Sequence, residues 1–138
     1  MGGEQKRRWA ALGQPASFQA ALSSKPVART EHFVLHHAQL STAGLDDVNP
    51  PVDDRLQVGL VVPKRHAKRS VTRNLIKRQA RSAFDARAAA MTGGNWVLRL
   101  RAPFDAKLFS SASSVALSVS VRNELGRLFQ AAPLTSHA

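Results

Sequence analysis

No stretch constrains this chain more than residues 58–81, VGLVVPKRHAKRSVTRNLIKRQAR, where an apolar run passes directly into the densest positive charge in the sequence. Val58-Gly59-Leu60-Val61-Val62 has the β-branched content of a strand, and Pro63, which has no N–H to give to a ladder, ends it. Lys64, Arg65, Lys68, Arg69, Arg73, Lys77, Arg78 and Arg81 follow, eight cations accompanied by His66 and by no Asp or Glu. Charge of one sign at this density calls for an anionic partner.

From Ser70 onward the period becomes helical, with Ser70 as the candidate N-cap. At about 100° per residue, Ile76, Ala80, Ala83, Phe84 and Met91 fall on one side, which is expected to be buried. Asn74, Lys77, Arg78 and Arg81 stand at i, i+3, i+4 and i+7 on another face and form a ridge, with Arg73 at its border. Many soluble helices carry a solvated basic face, and that reading stays open. Three features favour a nucleic acid instead. Like charges three and four residues apart repel by tenths of a kcal/mol each and gain from a counter-charge. Arginine is prominent, and its planar fork matches phosphate geometry better than a lysine does. Asn74 adds a side chain that both donates and accepts.

Lys64-Arg65 after a strand, followed by Val71-x-Arg73-Asn74-x-x-Lys77-Arg78-x-x-Arg81, resembles the signature of the bacterial ribonuclease P protein subunit, the small basic partner of a catalytic RNA that removes the 5′ leader from precursor tRNA. The resemblance covers roughly residues 18–129. Where the family usually has Arg-Asn-Arg, this chain reads Arg73-Asn74-Leu75, and Leu75 is suited to packing.

The rest of the chain fits one domain, because 138 residues suffice for one core. Lys and Arg number 20 against 9 Asp and Glu, a net charge of +11 that favours nucleic acid or an anionic membrane surface. Without cysteine, disulfides and thiolate zinc sites are excluded, in agreement with a reducing cytoplasm. No apolar run approaches the ~20 residues that span a bilayer, and Lys6-Arg7-Arg8-Trp9 is not followed by a signal-peptide core. A soluble cytoplasmic protein is expected.

Residues 1–14 read as a flexible basic tail, 15–132 as the RNA-binding domain and 133–138 as a frayed end. Between Pro15 and Ser23 a short helix would place Phe18 and Leu22 on one face. The resemblance implies that this helix lends aromatic side chains to a cleft holding the leader; Phe18 matches such a position, Leu22 stands where a second aromatic is common, and a plain core role for Phe18 remains equally open. Residues 29–40 read as a strand, which would place Phe33 and Leu35 on one face and Val34 and His36 on the other. Because neighbours on a strand point oppositely, His36 and His37 do not jointly chelate a metal. His36 sits where the family often has tyrosine, which implies stacking on, or hydrogen bonding to, a nucleotide.

The aspartates of STAGLDDVNPPVDDR, residues 41–55, lack the ligand spacing of a calcium loop and read as an exposed connection. Thr92-Gly93-Gly94-Asn95 reads as a turn, and residues 96–101 as a strand with Trp96, Leu98 and Leu100 inward and Val97, Arg99 and Arg101 on the other face. Those arginines suit a cleft for a phosphate chain or ordinary outward alternation; Arg101 matches a basic family position. Leu117, Val121, Leu125, Leu128 and Phe129 mark a terminal helix beginning at Ser113 or Ser114, with the serines at 110, 111, 113 and 114 as candidate caps.

The expected fold is α+β: a single α/β sandwich with a small mixed sheet, ordered helix, strand, long loop, strand, basic helix, strand, helix. A parallel strand–helix–strand unit is ordinarily right-handed; the resemblance implies a left-handed βαβ crossover, with the basic helix beside the cleft. It also implies a division of labour. Lys64, Arg65, Lys68, Arg69, Arg73, Asn74, Lys77, Arg78 and Arg81 would hold ribonuclease P RNA, and Phe18, His36, Arg99 and Arg101 the leader of precursor tRNA. Hydrolysis would fall to Mg²⁺ held by the RNA, with no catalytic or metal-binding residue in the protein and no DNA or membrane partner. A stand-alone RNA-binding module or a protein-only nuclease is the alternative, but a protein nuclease needs positioned acid–base groups or metal carboxylates, and the acids here lie mostly in one Pro-rich loop.

Overall fold

The computed structural model describes residues 9–38, 56–91, 93–104 and 115–132. Residues 1–8, the aspartate loop, the serines at 110–114 and the end at 133–138 lie outside them, and so do the expectations made for those segments. Each strong periodicity in the sequence becomes an element. The first helix is α1, Pro15–Leu22, with proline in its first turn, where a missing N–H costs nothing. Strands β3 (Phe33–Ala38), β4 (Leu56–Val61) and β5 (Gly94–Leu100) form the centre of the sheet. The basic helix α2 spans Ser70–Arg87, and α3 spans Val115–Ala131.

Two strands of two residues each were not evident from periodicity: β1, Ala10–Ala11, and β2, Ala28–Arg29. They complete a five-stranded sheet in the order β1-β4-β5-β3-β2. β1 runs parallel to β4 and β4 parallel to β5, whereas β3 is antiparallel to both β5 and β2. β4–α2–β5 is thus a crossover between adjacent parallel strands. The tail expected over residues 1–14 gives way from Trp9 onward. Trp9 and Leu12 are buried, the Leu12 N–H bonds the Val58 carbonyl at 2.8 Å, and the Trp9 indole N–H donates to Asp85 Oδ1 at 2.7 Å. Apolar side chains at both ends of an Ala-Ala pair recover more burial than a solvated tail offers.

The sheet separates two apolar layers. On one face Phe33, Leu35, Val58, Trp96, Leu98 and Leu100 pack beneath α2 and α3, where Phe84 meets Phe129 edge to face at 5.1 Å. On the other, α1 lays Phe18, Ala21 and Leu22 over Val97, Leu12 and Val61. The expected inward set of α2 holds for Ile76, Ala80 and Phe84, and Leu75 joins it in the packed core.

Several local expectations shift. Ser70 is not the N-cap: Arg69 is the extended residue before α2, and no side chain caps it. Burial of Ala67 fixes where the chain turns into the helix, one residue earlier than the serine pattern suggests. The helix also stops short of Met91, tightening into a 3₁₀ turn at Ala88–Ala90. Gly94 and Asn95, expected in the turn, pair with Leu56 and Gln57 and lengthen β5; Gly94 enters it at φ 123°, which only glycine adopts freely. No described helix is long and apolar enough to cross a membrane.

Candidate nucleic-acid interface

The chain leaving β4 makes a tight turn at Pro63, whose carbonyl accepts from the N–H groups of His66 and Ala67 at 3.0 and 3.1 Å. Ala67, 4% exposed, is the apolar peg of this turn, so Lys64, Arg65, Lys68 and Arg69 are displayed around a fixed point and all four are exposed. Arg73 holds the arrangement from the helix side. Its Nη1 donates to the carbonyls of Ala67 and Lys68 at 3.0 and 2.9 Å, and the residue is half-buried. Arg73 therefore braces the loop that presents the other cations.

Along α2, Asn74, Arg78 and Arg81 are exposed and Lys77 is half-buried at the margin, so the ridge expected from spacing exists with Arg73 turned inward from it. One helical turn beyond Arg81, the exposed Asp85 ends the unbroken positive run and accepts the hydrogen bond of the Trp9 indole N–H.

On the face covered by α1, register brings side chains from four strands into one row. Val61 lies opposite Arg99, Arg99 opposite Val34, and Val34 opposite Arg29; partners in register share a face. Arg29 was not singled out from the sequence, because its place in the row depends on the β2–β3 pairing rather than on any local pattern. Arg101 lies one residue past β5. It is exposed, its N–H bonds the His32 carbonyl at 2.7 Å, and its Nε donates to the Thr30 carbonyl at 3.2 Å, which ties it to the turn after Arg29. Since β4 and β5 are parallel, the Pro63 turn, Arg99 and Arg101 all gather at one end of the sheet.

Phe18 and His36, expected to face the same cleft, differ in access. The Phe18 ring is half-buried and rests on Gly59, where a Cβ would collide with its Cε1 and Cζ. It is at once part of the α1 packing layer and partly exposed. His36 is only 3% exposed, and its Nδ1 donates to the Ser24 carbonyl at 3.1 Å. A ring so enclosed presents little face for stacking. Burial holds the His36 pKa below the usual histidine value and the Arg99 charge pushes the same way, against the Ser24 bond, so the ring is neutral at pH 7. His37 points to the opposite face, stacked on Trp96 at 4.0 Å with its Nε2 donating to the Gly93 carbonyl.

Sequence reasoning also missed Glu124. This buried carboxylate on α3 accepts from Thr30 Oγ1 and the His32 N–H at 2.6 Å each and from His32 Nδ1 at 2.7 Å, while the His32 ring stacks on Phe104 at 3.8 Å. The network locks α3 to the turn beside Arg29 and Arg101. An acidic residue amid the apolar stripe of α3 is its one signal in the sequence. Among the described residues no group of three His, Asp or Glu side chains is placed to hold a metal ion.

The family model described as Ribonuclease P matches residues 7–132. A ribonuclease P protein component from Burkholderia pseudomallei is 36% identical over 115 residues, covering 83% of this chain and 76% of its own. One from Bordetella parapertussis is 36% identical over 123 residues, covering 87% and 89%. The solved RNase P protein of Staphylococcus aureus superposes with a TM-score of 0.65 at 18% identity, over 91% of this chain and 97% of that one. A second structure of it gives 0.64 at 20% identity, covering 98% of each. At such identities the likeness speaks for the fold: a mixed sheet with three helices.

Proposed function

The chain belongs to the ribonuclease P protein family, and from that premise we propose how its two basic surfaces divide the work of a ribonuclease P subunit, which binds RNA and takes part in removing the 5′ leader of precursor tRNA. The braced loop with Lys64, Arg65, Lys68 and Arg69, continued by Asn74, Lys77, Arg78 and Arg81, grips the phosphates of ribonuclease P RNA. The row of Arg29, Arg99 and Arg101, with the partly exposed Phe18 on the same face of the sheet, takes the single-stranded leader in the cytoplasm. The observation that carries this reading is the convergence of the Pro63 turn, Arg99 and Arg101 at one end of the sheet, so that one RNA and a strand leaving its surface can be held together.

The protein's part is binding and orientation. Guanidinium forks pair with phosphate oxygens, and an aromatic ring accepts a base by stacking, a contact that tolerates any sequence. Phosphodiester hydrolysis is assigned to the RNA partner. Mg²⁺ is assigned to that partner too, a reading supported by the cationic character of both protein surfaces and by the lack, among the described residues, of a carboxylate set for a divalent ion. The test is cleavage of precursor tRNA in Mg²⁺ by protein alone, by ribonuclease P RNA alone and by the two together. Cleavage in the combined sample at RNA concentrations where neither component suffices is the expected result; cleavage by protein alone would favour a protein-only nuclease.

A further inference from the structure

A depression of about 470 Å³ lies between α2 and α3, on the sheet side opposite α1, and none of the side chains assigned to RNA above lines it. Its walls are Arg87, Asn123, Arg127 and Gln130, and Gly126 and Phe129 contribute the rest. We propose that this groove is a second RNA-contact surface, which seats a backbone phosphate between Arg87 and Arg127.

Three observations converge. First, Arg87 is preorganised: its guanidinium carbon stands 5.1 Å from the centre of the Phe129 ring and its Nη1 donates to the Ala83 carbonyl at 3.1 Å. A guanidinium has five N–H donors in a fixed fork, so holding it by one edge aims the remainder without the entropy loss of a free side chain. Second, no carboxylate lines the groove among the described residues. The acids on its two helices are engaged elsewhere, Asp85 with Trp9 and Glu124 with Thr30 and His32. Arg127 thus adds to the charge of Arg87 unopposed, and Asn123 and Gln130 supply neutral donors at the rim. Third, Gly126 occupies a helix interior, where glycine is unfavourable. Packing against the described residues does not demand it, because a Cβ there would approach Arg87 Nη2 no closer than 3.9 Å, an ordinary contact. Close approach of a ligand to the helix backbone accounts for the glycine.

The proposal rests on the ribonuclease P reading for the identity of the RNA. Full-length Arg127→Ala, Gly126→Ala and, for the ridge, Arg78→Ala are titrated with in vitro transcribed ribonuclease P RNA across a salt series, with thermal melts alongside. Arg127→Ala should bind more weakly and lower the log–log salt slope by about 0.7 to 0.9, the value of one phosphate. Gly126→Ala should melt at or above the wild-type temperature yet also bind more weakly, a combination that damage to the fold does not produce. Unchanged binding by Gly126→Ala overturns the groove whatever Arg127→Ala does. If both groove variants bind as wild type while Arg78→Ala binds poorly, the groove is rejected and the ridge stands. Should all three match wild type, both fall.

Discussion

At Gly59 a single hydrogen atom decides the geometry of a whole surface. Any larger side chain there meets the Phe18 ring, so Gly59→Ala should cost about 1–3 kcal/mol by overpacking, read from urea unfolding. The cost should shrink in a Phe18→Ala background, since the obstructing ring is gone; equal costs in both would place the strain elsewhere. Phe18→Ala by itself tests the proposed division into two RNA surfaces. Stacking on a base is worth about 1–3 kcal/mol, so the folded variant, assembled with ribonuclease P RNA, should lose affinity for precursor tRNA and keep it for mature tRNA, which has no leader. Equal loss for both would return the ring to a purely structural role. The arginine at 73 carries a related lesson: the residue type suited to phosphate is spent on two backbone carbonyls of its own chain.

Elements are joined by polar contacts that no hydrophobic pattern announces. Glu124 clamps α3 to the β2–β3 turn. Burial raises its pKa, but the bonds from Thr30 and from the His32 backbone and ring, with the His32 charge, outweigh burial and hold it below the usual carboxylate range. A carboxyl with a depressed pKa in the folded state stabilises fully above its unfolded pKa and loses that contribution as pH falls through the folded one. Glu124→Gln should therefore cost about 3 kcal/mol at neutral pH, with the gap to wild type narrowing on acidification below 4.5; a gap independent of pH would mean the charge is not what matters. For α2, the triple variant Lys77→Ala, Arg78→Ala, Arg81→Ala should leave the melting temperature nearly unchanged, because exposed ridge residues add little to the core, while RNA affinity falls. A fall in melting temperature as large as that of a core truncation would make the ridge structural. Arg73 is omitted from that set because its removal also frees the loop.

On the scale of the whole molecule, a charge of +11 on 138 residues sets the long-range behaviour. Each phosphate neutralised releases condensed counterions, so contact with about four phosphates predicts a loss of RNA affinity on the order of a hundredfold for a fourfold rise in salt. A flat titration would rule out phosphate contacts as the main source of affinity. The charge is not spread evenly in effect: the Pro63 turn, Arg99 and Arg101 share one end of the sheet, while Asp85 interrupts the positive run toward the far end of α2.

The central strands, the three helices, the ridge and the inward faces were legible in residue order, because periods of 2 and 3.6 assign side chains to faces before any tertiary contact forms. Composition likewise determined the sign of the partner. What the tertiary structure alone decided depends on residues far apart in the chain. Two-residue strands have no period to read, so β1 and β2 exist through their pairing with β4 and β3. Arg29 joins Arg99 by register across Val34, Trp9 finds Asp85 at a separation of 76 residues, and Thr30 finds Glu124 at 94. Whether His36 faced a nucleotide or the interior depended on how α1 and the segment after it close over the sheet. Local sequence sets which side of an element a residue occupies, but burial and hydrogen-bond partners belong to whatever the fold brings against that side.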